Sequence, residues 1–282
     1  MILDDRRCEL GEGPLWHPLR NQLFWFDIIG KRLMSTDGQQ WQFDQHVSAA
    51  GWVGRETLLI ASETALFRFD LTTGTRTDLV ALEADQPQTR SNDGRADPQG
   101  GFWIGTMGKR GDADPAMGSI WRYYRGELRR LYPNITISNA ICFTPDGRTA
   151  HFSDTVTGRV MRVALDTSGW PTGTPEVYLD LKSQGINPDG AVVDVAGNLW
   201  LAEWGSSRVA CYAPDGTFLR AVGFDAPNTS CPAFGGPDLT TLFCTTAQQH
   251  MTTADRLTLP HSGKTFAVAD VAHGQAEHQV IL

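Results

Sequence analysis

Residues 189–204 read DGAVVDVAGNLWLAEW. An acidic residue leads a short apolar run, the turn VAGN (195–198) follows, and a second apolar run ends at Trp204. Short β-branched and aromatic runs joined by Asn, Asp and Gly specify a β-hairpin. Three other stretches share this layout: EGPLWHPLRNQLFWFD (12–27), NDGRADPQGGFWIGTM (92–107) and NAICFTPDGRTAHFSD (139–154). Glu12, Asn92, Asn139 and Asp189 each stand fifteen residues before the end of their stretch, and each carries a side-chain oxygen.

A second recurring element follows, in the segments 31–37, 64–70, 118–124, 158–166, 207–215 and 263–270. Leu33 in the first copy and Thr265 in the last lie 232 residues apart over five steps, or about 46 residues per unit. A further apolar run often comes next: QWQFD, RTDLV, LRRLY, PEVYLDL, FLRAVGF and finally HQVIL (278–282). Four strands per unit at this period is the signature of a β-propeller blade, and six blades fit the chain. The sequence therefore predicts an all-β fold, a six-bladed propeller of four-stranded antiparallel blades, as one domain over 1–282. Blades two and six lack an acid or Asn at the key position and carry Ser48 and Ser230 nearby. The run 2–8 is expected to pair into the last blade and close the ring, because closure removes exposed strand edges.

The formal net charge of −8 argues against a nucleic-acid partner, which calls for a basic face. No apolar run approaches the roughly 18 residues of a membrane span, and the first thirty residues are charged where a leader would be apolar. Five cysteines without a C-x-x-C pair read as free thiols in a reducing compartment, so a cytoplasmic protein is expected, as a monomer or weak oligomer. There is no G-x-S-x-G, H-E-x-x-H, phosphate-binding loop or dinucleotide fingerprint, and the seven histidines show no ligand spacing.

The chemistry must then come from the key positions. Asp97, Asp146, Asp194 and Asp215 lie in hairpin turns and are expected to cap their own backbone. Glu12, Asn139 and Asp189 instead precede the first strand of their units. Two carboxylates and an amide oxygen suit a hard divalent cation, Ca2+ first, with Mg2+ and Mn2+ also compatible. Three protein ligands leave positions open for water and substrate. Arg90 and Asn92 stand ready to hold substrate oxygens or a developing negative charge. Asp154 ends a second strand near the same axis, where it can orient ligands or relay protons. Asp27 reads as structural and His151 as a core residue. Trp16 and Trp204 are candidates to stack on a substrate ring.

These stretches resemble the senescence-marker/gluconolactonase (regucalcin-like) family of six-bladed propellers. The resemblance rests on GEGPLW (11–16), FWFDI (24–28), RSNDGRADPQGGFWIGTM (90–107), SNAICFTPDG (138–147), FSD (152–154), NPDGAVVDVAGNLWLAEW (187–204) and CPAFGGPDLTTLFCTTA (231–247). It implies a divalent metal, with calcium, zinc, manganese and iron all known in the family, on the residues matching Glu12, Asn139 and Asp189. It implies substrate contacts from Arg90 and Asn92, and hydrolysis of small-molecule sugar lactones; Asp189, as a ligand beside the attacking water, is then the candidate general base. A phosphotriester hydrolase on the same metal, and a calcium-binding propeller without chemistry, are the alternatives. One departure stands out: the loop 108–119 (GKRGDADPAMGS) carries Asp112 and Asp114 but no Glu, so sugar specificity does not carry over.

Overall fold

The computed structural model describes residues 1–282. Six four-stranded antiparallel sheets account for every strand. Their innermost strands are Gly11–His17, Val47–Gly54, Thr89–Ala96, Ser138–Phe143, Asn187–Val193 and Thr229–Gly235. Each packs against the next, and Gly11–His17 packs against Thr229–Gly235, so the sheets close a ring around a central channel.

The apolar residues fall into six clusters, one at each interface between neighbouring blades. Alternation explains this: successive strand residues point to opposite faces, so a blade buried on both faces needs apolar residues on both. Trp103 and Trp200 sit at the same place in the second strands of blades three and five, Trp25 lies two residues further along its strand in blade one, and all three are fully buried. Replacing any of them by Ala is expected to cost about 3–5 kcal/mol. The five cysteines are free and buried, and all but Cys231 belong to these clusters.

The ring is closed as expected. Ile2–Asp4 adds to the outer edge of the last blade beside Thr265–Val268. The run HQVIL is not that outer strand. Residues 273–281 instead cross the end of the channel where the inner hairpins turn. Val195 N–H donates to the His273 carbonyl (3.0 Å), Val280 N–H to Trp52 (2.8 Å) and Ile281 N–H to Gly100 (2.8 Å). Glu277 pairs there with the partly buried Arg95. The N-terminal strand already occupies the last edge, so the C-terminal run finds its backbone partners across the base.

All four turn aspartates cap their hairpins. Asp97 does more: it accepts from Gly101 N–H (2.8 Å) and from the guanidinium Nε of Arg122 (2.6 Å), both side chains fully buried.

Candidate metal and substrate site

All six inner strands are bulged near their start. In blade one Glu12 pairs with Phe26 and Leu15 with Phe24, so two residues oppose one. Asn139 pairs with Ser153 and Cys142 with His151 in the same way. In blades three and five the paired residues are Ser91 and Pro188, so Asn92 and Asp189 fall inside the bulge. The constant count of fifteen thus conceals two ladder positions one step apart, offset by a hairpin one residue longer in blades three and five. A bulge bends the strand and re-aims its side chains, so all four reach the same space. The bend has a local cost: Ala140, directly after Asn139 and fully buried, has φ = 55°. In blade one the corresponding residue is Gly13, which adopts φ = 54° without a Cβ clash.

That space is a cavity of about 340 Å3 at the end of the channel opposite the C-terminal crossing. Glu12, Arg90, Asn92, Asn139 and Asp189 all line it, and all five are buried. Trp204 and the loop residues Lys109 to Asp112 complete much of the wall. Asp114 faces away and pairs with Arg110 (2.5 Å), while Lys109 pairs with Glu63 (2.5 Å).

A hydrogen-bond arc runs along the wall. Arg90 Nη1 donates to Asn92 Oδ1 (2.7 Å). Asn92 Nδ2 donates to Asn139 Oδ1 (3.1 Å) and to the Ser138 carbonyl (2.8 Å). Asn139 Nδ2 donates to Thr155 Oγ1 (2.8 Å), whose hydroxyl donates to the Pro188 carbonyl (2.8 Å). Asn92 therefore spends both amide protons and one lone pair on its neighbours. Arg90 is tied to Asn92 and to the Ser91 carbonyl (2.9 Å) through Nη1, while its buried Nε has no partner.

The two carboxylates are treated differently. Glu12 accepts one bond, from Gly13 N–H (3.2 Å), and neither Glu12 nor Asp189 has an ion-pair partner. Burial pushes Glu12 up to about 8, helped by the negative charge of Asp93. Burial and the Glu12 charge push Asp189 well above the carboxylate range. Burial lowers Arg90 to about 10, which leaves it cationic at neutral pH. Asp93 lies close behind, buried, accepting from Ile141 N–H (2.7 Å) and raised to about 6 mainly by burial. Nowhere do three or more His, Cys, Asp or Glu side chains converge as a metal site. The donor set here is two carboxylates and one amide oxygen.

The remaining candidates lie elsewhere. Asp154 turns to the loop before its blade, accepting from Thr136 N–H (2.9 Å) and Ile137 N–H (3.0 Å). Asp27 does the same for Glu9 and Leu10 (3.2 and 3.1 Å). Both stand at the same ladder position, opposite the first residue of the inner strand. Each anchors that strand's entry and neither reaches the cavity. Trp16 stacks on Phe243 in the interblade core (5.7 Å between ring centroids). His151 packs on Tyr178 (4.8 Å). Ser48 and Ser230 are the bulged residues of blades two and six, fully buried and bonded to Ser91 and to the Gly11 carbonyl. They seal the strand seams and open no room in the cavity. The sequence reading missed Asn187, the first residue of its inner strand, and Thr155, Gln249 and His250, which line the wall from connections where no repeat signal reaches.

A closed six-bladed propeller with an acidic, oxygen-lined cavity at one channel end defines the class of protein. The chain belongs to the SMP-30/gluconolactonase/LRE-like family, whose model matches residues 10–248. It is 32% identical over 280 residues to the L-arabinolactonase of Azospirillum brasilense, across 96% of this chain and 92% of that one. It is 30% identical over 277 residues to the 6-deoxy-6-sulfogluconolactonase of Pseudomonas putida, across 95% and 94%. The crystal structure of a calcium-binding protein, regucalcin, from Agrobacterium tumefaciens is 37% identical and superposes with a TM-score of 0.97, across 100% of this chain and 97% of that one. No helix is long and apolar enough to cross a membrane.

Proposed function

We propose that the chain is a divalent-metal-dependent hydrolase that opens sugar (aldono-) lactones to aldonic acids. The observation that carries this reading is the pair Glu12 and Asp189, buried together on one cavity without a cationic partner. Unpaired buried carboxylates are costly and are retained where a cation neutralises them. Asn139 fits as the third ligand, since its Oδ1 accepts only one internal bond and keeps a lone pair. Family membership and the lactonases among the relatives support the reaction class. Hard oxygen donors and the calcium-binding relative favour Ca2+ as the resident ion.

When bound, such a cation supplies Lewis acidity at the lactone carbonyl and makes an adjacent water more acidic. Asp189, on the cavity wall, would serve as the general base that takes a proton from the attacking water. Arg90, cationic and held by Asn92, donates to the oxygen on which charge develops. Asn92 acts chiefly by holding Arg90 and Asn139, because its own amide protons are spent within the wall. Trp204 offers an apolar face to the sugar ring. The rim cations Lys109 and Arg110 are each matched by a carboxylate, so the cavity suits a neutral polyol lactone.

Metal analysis of the purified protein, paired with a pH-drop assay on pentono- and hexonolactones, tests the reading. Asp189→Ala and Asn139→Ala should abolish turnover and lower metal content while the fold is kept. Retention of both refutes the assignment. A much larger kcat/KM for a phosphotriester than for any aldonolactone would replace the substrate class. Bound metal without turnover across the panel would favour a non-catalytic binding propeller.

A further inference from the structure

Thr155 opens the short 3-10 turn Thr155–Thr157, directly after the second strand of blade four. Nothing in the repeat marks it, because its place is in a connection and its role depends on hydrogen-bond polarity.

That polarity can be worked out atom by atom. A threonine hydroxyl has one proton, and here it goes to the Pro188 carbonyl, which can only accept (2.8 Å). Thr155 Oγ1 therefore offers Asn139 a lone pair, and the group facing it must be Nδ2 (2.8 Å). At the far end of the arc Arg90 can only donate, so Asn92 turns Oδ1 to it (2.7 Å) and Nδ2 toward Asn139 (3.1 Å). Both ends demand the same orientation of the Asn139 amide. Left alone, an Asn amide has two nearly equivalent rotamers. One presents an oxygen to a cation, and the other presents an NH2 that repels it.

We propose that Thr155 is a positioning residue: its hydroxyl locks the Asn139 amide with the oxygen available to a cation in the cavity, and ties that amide to the strand that carries Asp189. The assignment rests on the cation site proposed above. Partners that orient a metal ligand in this way are typically worth about 10- to 100-fold in metal affinity.

The test uses the metal-free full-length chain and titration calorimetry with Ca2+ and Mn2+. Thr155→Val keeps the shape and removes the hydroxyl. Its dissociation constants should rise about 10- to 100-fold, and kcat at saturating cation should fall less than cation affinity does. Thr155→Ser should restore affinity to within a few-fold. In an Asn139→Asp background the loss caused by Thr155→Val should shrink, because a carboxylate offers oxygen in either orientation. Wild-type affinity in Thr155→Val with a lowered melting point would reduce Thr155 to a link between blades and overturn the proposal. An undiminished loss in the Asn139→Asp background would also overturn it. A wild-type chain that binds neither cation, or binds equally well after Asn139→Ala, rejects the cation site itself. That result is distinct from a failure of Thr155 alone, and it removes the basis of the assignment as well.

Discussion

Replacing Glu12 with Gln should make the metal-free protein more stable and the metal-loaded protein less so. Glu12 is buried beside Asp189 and Asp93 with no ion-pair partner and only partial relief from the Arg90 charge, and its pKa rises from 4.5 to about 8, first through burial. An acid raised in the folded state favours folding while it is protonated. Its contribution is complete below pH 4.5 and is lost as the pH climbs through about 8. At about 1.4 kcal/mol per pKa unit, the ionised folded chain gives up on the order of 5 kcal/mol. A neutral, near-isosteric Gln removes that penalty. Buried histidines pull the other way: His17, His46, His151 and His278 are all lowered by burial, so they weaken the fold as the pH falls below 6.5. The window that isolates the carboxylates is therefore pH 6.5 to 8.5. Thermal and urea melts in EDTA across it should show wild type losing stability as the pH rises, with Glu12→Gln falling less steeply because only the burial of Asp189 remains to oppose ionisation. By pH 8.5 the gap should be about 3–5 kcal/mol, which at about 2–4 °C per kcal/mol is roughly 6–20 °C. Saturating Ca2+ should invert the order, because only wild type regains its counter-charge. A metal-free variant no more stable than wild type at pH 8.5 would refute the reasoning, as would a wild-type melting point that climbs through the window without cation.

Two further substitutions test the scaffold. Asp97→Ala strands the fully buried Arg122 guanidinium and two hairpin N–H groups, so urea denaturation should show a loss of about 3–5 kcal/mol at neutral pH. Asp154→Ala frees the N–H groups of Thr136 and Ile137. It should cost about 1–3 kcal/mol and raise KM more than it lowers kcat, because it loosens the entry to the strand carrying Asn139 without touching the cavity.

Much of this molecule is legible in its sequence because the constraint is local and repeated. Each blade needs two apolar faces, a tight hairpin and an edge, so each writes the same alternation and turn residues. Trp25, Trp103 and Trp200 are buried where that alternation places them, and Asp97, Asp146, Asp194 and Asp215 cap the turns they were expected to cap. The N-terminal strand closes the ring because it supplies the fourth strand that the last blade would otherwise lack, and that pairing follows from counting strands along the chain. Glu12, Asn92, Asn139 and Asp189 could be gathered from the repeat, and Arg90 from its place two residues before Asn92, and all five line one cavity.

Tertiary structure decided what no local pattern encodes. HQVIL has strand composition but crosses the channel base, because its edge was already taken by Ile2–Asp4. Asp154 shares its motif with residues near the axis, yet its carboxylate turns back to two backbone amides. The fifteen-residue spacing is genuine as a count but mixes two ladder positions, reconciled only by the bulges and by unequal hairpins. The direction in which the Asn139 amide points depends on the Arg90 proton donors at one end of the arc and the Pro188 carbonyl at the other, in blades far apart in the chain. Periodicity is a one-dimensional property, so the chain alone marks the repeated oxygen-bearing residues at the channel mouth but not the connections that complete its wall. Which atoms those residues present depends on contacts between blades, and a period cannot carry that information.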